Sequence, residues 1–231
     1  PYFHTDACQA ANYCNLDVLR LKCHMMTVNS NKVYGPKGAA LLYKREGIKV
    51  SPVTLGGGQE RELRSGTEAV PLYFSFAAAL EESKEIQDSE VGRLQKLNDF
   101  LRNELTSKIP GIIFYGAFDE VGTLMEGHAS PKRVMKRLPN NINCRVPGIS
   151  SEEMILRLDA KGFAVSHKSA CASLEIDGSY VVMALGATEE EALQNIRISF
   201  GRSTTEDDLR NLVLAMKEIE QKFASQNQNP A

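Results

Sequence analysis

The stretch from Glu68 to Pro110 constrains most what this chain can fold into. Val91, Leu94, Leu97, Leu101 and Leu105 step by three or four along one face until Pro110-Gly111 ends the pattern. This is one long amphipathic helix or a pair of them, and its apolar face needs a partner to bury it. Short strands on either side can supply one. Upstream lie Pro1-Tyr2-Phe3, Met25 to Val28 and Ala39 to Tyr43, with a helix near Leu16 to Leu21. Downstream come Ile112 to Tyr115 and Ile142 to Val146. The run Ile196-Arg197-Ile198-Ser199-Phe200 follows, and its alternation sends Ile196, Ile198 and Phe200 to a core and leaves Arg197 and Ser199 on the other face. Ser150-x-x-Glu153 and Thr188-x-x-Glu191 read as capping boxes, and a last helix from Thr204 or Thr205 turns Leu209, Leu212, Met216, Ile219 and Phe223 inward. Strands interleaved with helices in this order predict an α/β protein. The acidic, apolar-poor interval Glu81 to Glu90 predicts a domain boundary near residue 88, giving units 1–88 and 89–231.

Charge and cysteine use narrow the function classes. With 27 Lys and Arg against 29 Asp and Glu, bulk charge does not hold this chain to nucleic acid or to an anionic membrane. No apolar run reaches the roughly 18 residues of a membrane span. Five cysteines with no CxxC pair, and four histidines without ligand spacing, argue against a disulfide scaffold or a zinc site. A reducing compartment, cytoplasmic or an organellar matrix, fits free thiols. The expected partner is therefore a small molecule. The start at Pro1, in what reads as the middle of a strand, suggests a fragment.

Several residues could carry chemistry. Lys32 follows an apolar run and Asn29-Ser30-Asn31, and precedes Tyr34-Gly35-Pro36-Lys37-Gly38; there an amine can form a Schiff base with a carbonyl compound, although a solvated loop lysine has the same surroundings. Asp6 and Gln9, at the end of another strand-like run, suit a protonated ring nitrogen and a ring oxygen of a cofactor, or equally a strand-end cap. Cys171, in His167-Lys168-Ser169-Ala170-Cys171, has positive neighbours that favour a thiolate and small ones that leave it free to react. Cys8 packs beside Asp6, and Cys14, Cys23 and Cys144 read as inert thiols. Arg197 can grip a carboxylate with two prongs or make a surface ion pair. Gly56-Gly57-Gly58-Gln59-Glu60-Arg61 and Arg64-Ser65-Gly66-Thr67 offer glycines, a cation and hydroxyls to an anion, without the spacing of a Walker loop.

Taken together, His4-x-Asp6-x-x-Gln9, Lys32 before Tyr34-Gly35-Pro36-Lys37-Gly38, the Gly56 to Thr67 stretch, Ser169-Ala170-Cys171 and Arg197 to Gly201-Arg202 resemble the cysteine desulfurases of the class V aminotransferase group. The order and spacing match over nearly the whole chain. The resemblance implies the fold type I architecture of pyridoxal-phosphate enzymes, here part of the large cofactor domain plus a small C-terminal α/β domain, in a homodimer. It implies pyridoxal 5'-phosphate as cofactor, held by Lys32 as a Schiff base. Asp6 would lie at the pyridine nitrogen, Gln9 at the phenolic oxygen, and Asn29 and Asn31 near the phosphate. Thr67 would reach the cofactor phosphate of the neighbouring subunit. Arg197 would hold the carboxylate of L-cysteine and Cys171 would take its sulfur as a persulfide, releasing alanine and passing sulfur to an acceptor such as an iron–sulfur scaffold protein.

The sequence departs from the family in three places. Asn29 and Asn31 stand where Ser and His are usual, the segment from Phe118 to Arg137 is longer than the norm, and the N-terminal half, with the aromatic residue that stacks on the pyridine ring, is missing. Two other readings share the motifs: a selenocysteine lyase, and an inactive or partner-dependent module whose site another polypeptide completes.

Overall fold

A computed structural model describes residues 1–116, 137–167 and 178–227. The expected insertion at 118–137, apart from Arg137, and the Cys171 segment lie outside the described residues. The chain divides into two compact units, Pro1–Val91 and Gly92–Ala231.

In the first unit, β1 (His4–Asp6), β2 (Met25–Asn29) and β3 (Ala40–Lys44) form one sheet in that order. β1 runs parallel to β2, with Asp6 opposite Thr27, and β3 runs antiparallel to β2. The expected strand at Pro1–Phe3 begins later, at His4. Phe3 still joins the ladder, since its carbonyl accepts from His24 N at 2.8 Å and its N–H donates to His24 Nδ1 at 2.9 Å. α1 (Val18–Leu21) is a single turn started by Asp17, whose carboxylate accepts from Leu19 N and Arg20 N. Met26 and Val28 point to a core with Ala7, Ala11, Cys23, Val33, Ala39 and Phe76. The alternate residues Met25, Thr27 and Asn29 face the other way, as the two-residue period of a strand requires.

α2 is one unbroken helix, Val70–Lys108. The acidic interval expected to hinge two domains lies inside it, because Glu81, Glu82, Lys84 and Glu85 are good helix formers that need no burial on their exposed side. Leu72, Phe76, Ala79 and Leu80 serve the first unit's core. Leu94, Leu101 and Leu105 are fully buried in the second unit.

That unit holds an antiparallel sheet of β4 (Ile113–Phe114), β5 (Asn141–Arg145) and β6 (Asn195–Ser199), in that order. Ile142, Cys144, Ile196 and Ile198 turn inward with Met154 and Leu158 of α3 (Ser151–Asp159) and Met216 and Ile219 of α6 (Glu206–Asn227). Two short helices, α4 (Tyr180–Ala184) and α5 (Glu189–Ala192), precede β6. The capping box at Thr188 is complete: its hydroxyl accepts from Glu191 N and its N–H donates to the Glu191 carboxylate. The one at Ser150 is half formed. Its hydroxyl accepts from Glu153 N at 3.3 Å, while the Glu153 carboxylate binds Arg157 instead. Asn98 of α2 donates to the carbonyls of Pro139 and Asn141, fixing the entry to β5.

Candidate active site

Because β1 and β2 are parallel, their carboxyl ends point the same way, and this is where open α/β sheets gather ligands. Asp6 ends β1, Asn29 ends β2, and the 3-10 turn Ser30–Val33 carries Lys32 immediately beyond. The turn is held from two sides. Asn29 Oδ1 caps it by accepting from Asn31 N at 3.1 Å, and buried Asn12 donates through Nδ2 to the Lys32 carbonyl. These contacts fix the backbone of Lys32 and leave its side chain exposed. Asn29 Oδ1 is occupied by capping, so its amide NH2 is the part available to an anion.

Asp6 is exposed and held ionised. The Cys8 thiol and then the Cys8 N–H, which donates to Oδ1 at 2.9 Å, lower its pKa; partial burial opposes them and the charge of nearby His4 assists. The same contact acts on Cys8 in reverse. Burial and the Asp6 carboxylate push its thiol up to about 11, against the pull of the Asn29 backbone and the Lys32 ammonium. Cys8 therefore stays neutral, and Asp6 and Cys8 at the end of β1 adjoin Asn29 and the Lys32 turn at the end of the paired strand β2. His4 Nε2 lies 2.9 Å from Thr27 Oγ1 on the same sheet face. Gln9 is exposed in the helical turn that follows β1, where the N–H groups of Ala10 and Ala11 bond back to Ala7 O.

The loop before α2 is tied internally. Ser65 Oγ donates to Gly57 O at 2.8 Å, Gly66 N donates to Gln59 Oε1 at 3.2 Å, and Arg64 donates to Ser65 O. Glu60, Arg61 and Glu62 have φ of +49°, +57° and +64°, three consecutive left-handed residues without a glycine among them. Such a run is costly for residues with a Cβ. Thr67 leaves this loop exposed.

Arg197 belongs to the second unit, on the outward face of β6 opposite Asn143 of β5. Ser166 bridges to it on the other side through two backbone hydrogen bonds, and the chain enters the segment containing Cys171 just beyond His167. The His167 carbonyl accepts from Asn195 Nδ2 at 3.1 Å. Cys144 is fully buried, its thiol pushed up to about 12 by burial, and burial also raises Cys14. The structure thus brings Asp6, Asn29, Asn31 and Lys32 to one sheet end and sets Arg197 in the second unit.

Sequence reasoning missed Asn12. Nothing in its local sequence marks Asn12 as a brace for the Lys32 turn. On β5, Asn141, Asn143 and Arg145 alternate with buried residues and so define a polar strand face.

The donor set suits pyridoxal phosphate. An ionised, accessible carboxylate at a strand end can keep a ring nitrogen protonated, and an exposed amine lies in the adjoining turn. The class-V aminotransferase family profile matches residues 2–212, and the chain belongs to that family. It is 34% identical over 222 residues to "Cysteine desulfurase IscS 1" of Archaeoglobus fulgidus, covering 96% of this chain and 54% of that protein. It is 34% identical over 210 residues to the human "Cysteine desulfurase", covering 90% and 42%. Among solved structures, a NifS-like protein superposes with a TM-score of 0.79 at 26% identity, covering 96% of this chain and 53% of the other. A structure described as SspA in complex with cysteine gives 0.61 at 25% identity, covering 88% and 51%. The chain spans about half the length of the first of these relatives.

Proposed function

We propose that this chain carries the lysine, the ring-nitrogen carboxylate, the substrate arginine and the sulfur-accepting cysteine of a pyridoxal-phosphate-dependent cysteine desulfurase. The observation that carries the reading is the Lys32 turn at the shared carboxyl ends of β1 and β2, beside an Asp6 kept ionised. When bound, the cofactor supplies an electron-withdrawing ring that draws electron density from the substrate Cα. Asp6 holds a proton at the ring nitrogen, and the Gln9 amide donates to the ring oxygen. Asn29 and Asn31 donate to the phosphate, and Thr67 does so toward the site of a second subunit.

Lys32, fixed through its backbone and free at its amine, takes the Cα proton and returns it. Arg197 binds the substrate carboxylate. The Cys171 thiolate attacks the substrate sulfur, forming an S–S bond as the Cβ–S bond breaks. The electron pair of the broken bond stays with Cβ, which takes up a proton and leaves as the methyl of alanine. The persulfide passes to an acceptor protein of the iron–sulfur scaffold type. Two features support the quaternary and cellular parts of this reading. Val70, Tyr73 and Phe74 form an exposed apolar stripe on the first turns of α2, suited to a homodimer contact. Cys8, Cys14, Cys23 and Cys144 are all free thiols, as in a reducing compartment, cytoplasmic or organellar.

The test combines spectroscopy with product analysis. Pyridoxal phosphate added to the protein should give the visible absorbance of lysine-bound cofactor, and Lys32→Ala should abolish it. Cys171→Ala should retain the absorbance and stop alanine release from L-cysteine. Alanine release at the unaltered rate by Cys171→Ala would sink the proposal.

A further inference from the structure

Two carbonyls at the end of the Lys32 turn are met from outside it. The turn closes on Ser30 O, which accepts from the N–H groups of Tyr34 and Gly35. Tyr34 is left-handed, with φ of +63°, so the helical path ends there and the carbonyls of Lys32 and Val33 lie past the turn's last backbone bond. Asn12 donates to the Lys32 carbonyl, and Ser83 of α2 donates to the Val33 carbonyl at 3.4 Å. Asn12 and Ser83 are both buried.

The Asn12 contact is anchored in its turn. Asn12 lies in the segment after β1 where Tyr13 N and Cys14 N bond back to Ala10 O. Gln87, one helical turn beyond Ser83 on the same face of α2, donates through Nε2 to Cys14 O at 3.1 Å and to Ala11 O at 3.4 Å. Helix α2 thus grips the Lys32 turn twice, directly through Ser83 and by way of Gln87 and Asn12. All of these residues belong to the first unit.

Asn12 holds its place at a cost. Only its NH2 end can face a carbonyl, and this leaves Oδ1 buried without a hydrogen-bond partner. An apolar side chain of similar size would fill the space without that penalty. What the asparagine provides, and such a residue cannot, is the bond to Lys32. That bond fixes the peptide plane that follows the Lys32 Cα, and with it the direction in which the exposed side chain carries its amine.

We propose that Asn12 is a positioning residue for Lys32: its side-chain amide, backed by Gln87 of α2, orients the Lys32 backbone so that the amine meets the aldehyde of pyridoxal phosphate. The inference rests on the reading of Lys32 as the lysine that holds the cofactor, and adds the residue that aims it.

The test uses the full 231-residue chain. Amide hydrogen exchange, read by nitrogen-15 NMR without cofactor, reports on the turn. In Asn12→Ala the N–H groups of Tyr34 and Gly35 should exchange about tenfold faster, the equivalent of about 1.4 kcal/mol, while those of Met26 and Val28 in β2 keep their rates. The second readout is the rate at which visible absorbance appears on adding pyridoxal phosphate, as the Lys32 amine forms a C=N bond with the aldehyde and water leaves. Asn12→Ala should slow this capture by about tenfold. Asn12→Asp keeps the side-chain volume and donates to the Lys32 carbonyl only while its carboxyl is protonated, a state that burial extends toward neutral pH. Its capture rate, relative to that of the unaltered protein at the same pH, should approach one on the acid side of that titration and fall to the Asn12→Ala value as the carboxyl ionises. A residue that only filled space would give a ratio independent of pH. Unchanged exchange at Tyr34 and Gly35, faster exchange with an unchanged capture rate, or a flat Asn12→Asp ratio would each overturn the inference. The expected exchange, capture and pH signatures in a protein that releases no alanine from L-cysteine would leave the inference standing and end the desulfurase reading.

Discussion

Gly35→Ala tests how tightly the Lys32 turn is packed. A Cβ at Gly35 would press on Ser30 Oγ and would lie 3.2 Å from both the Ser30 carbonyl oxygen and the Cβ of Ala79 on α2. Ser30 is fully buried and its hydroxyl has no hydrogen-bond partner, so the space taken from it has no soft side. Overpacking of this kind costs about 1–3 kcal/mol. Ser30→Ala alone removes an unsatisfied buried hydroxyl and should be neutral or slightly stabilising. In the double variant the worst contact is gone while the two at 3.2 Å remain, so part of the loss should return, with a coupling of about 1 kcal/mol. Urea unfolding of the four proteins, followed by far-UV circular dichroism, measures this cycle. An unchanged midpoint for Gly35→Ala, or a double variant no more stable than Gly35→Ala, would refute the packing argument.

Two further outcomes follow from the second unit. Glu218 is held down to about 2, by hydrogen bonds from Lys161 first and then Lys222. Its folded pKa lies below the ordinary carboxylate value, so the stability it contributes is complete above about pH 4.5 and is lost as pH falls toward about 2. Glu218→Gln should therefore flatten the fall in Tm over that window, and an unchanged slope in thermal melts would contradict the assignment. Asn98→Ala takes the Asn98 donor from the buried carbonyl of Pro139, and from that of Asn141, which keeps Arg137. It should cost about 1–3 kcal/mol, or roughly 2–12 °C in Tm for a chain of this size, and a shift of a degree or less in calorimetry would refute it.

The sequence made the periodic elements legible because their signals are local. The leucine steps of α2, the alternation of β6 and the Thr188 capping box each sit within one element. The acidic interval lies on the exposed face of α2, which composition alone cannot separate from a solvated linker, and the chain divides nearby, after Val91. The half-formed box at Ser150 has a similar lesson, since the i,i+4 partner Arg157 competes for the Glu153 carboxylate. In the candidate site, the placement of Asp6 at a strand end and of Lys32 in a turn was legible in the sequence. The roles of Asn12 and Cys8 are tertiary: one braces a carbonyl 20 positions away, and the other shapes the electrostatics of Asp6 only because β1 ends where the next helical turn begins.

The most direct test of the central claim is the fate of the substrate sulfur. After incubation with pyridoxal phosphate and L-cysteine, peptide mapping by mass spectrometry should find one added sulfur atom on the peptide containing Cys171, in step with alanine release. The Lys32→Ala protein should show neither. Alanine released with the Cys171 peptide unmodified, or sulfur gained at Cys171 to the same extent in Lys32→Ala, would contradict the account.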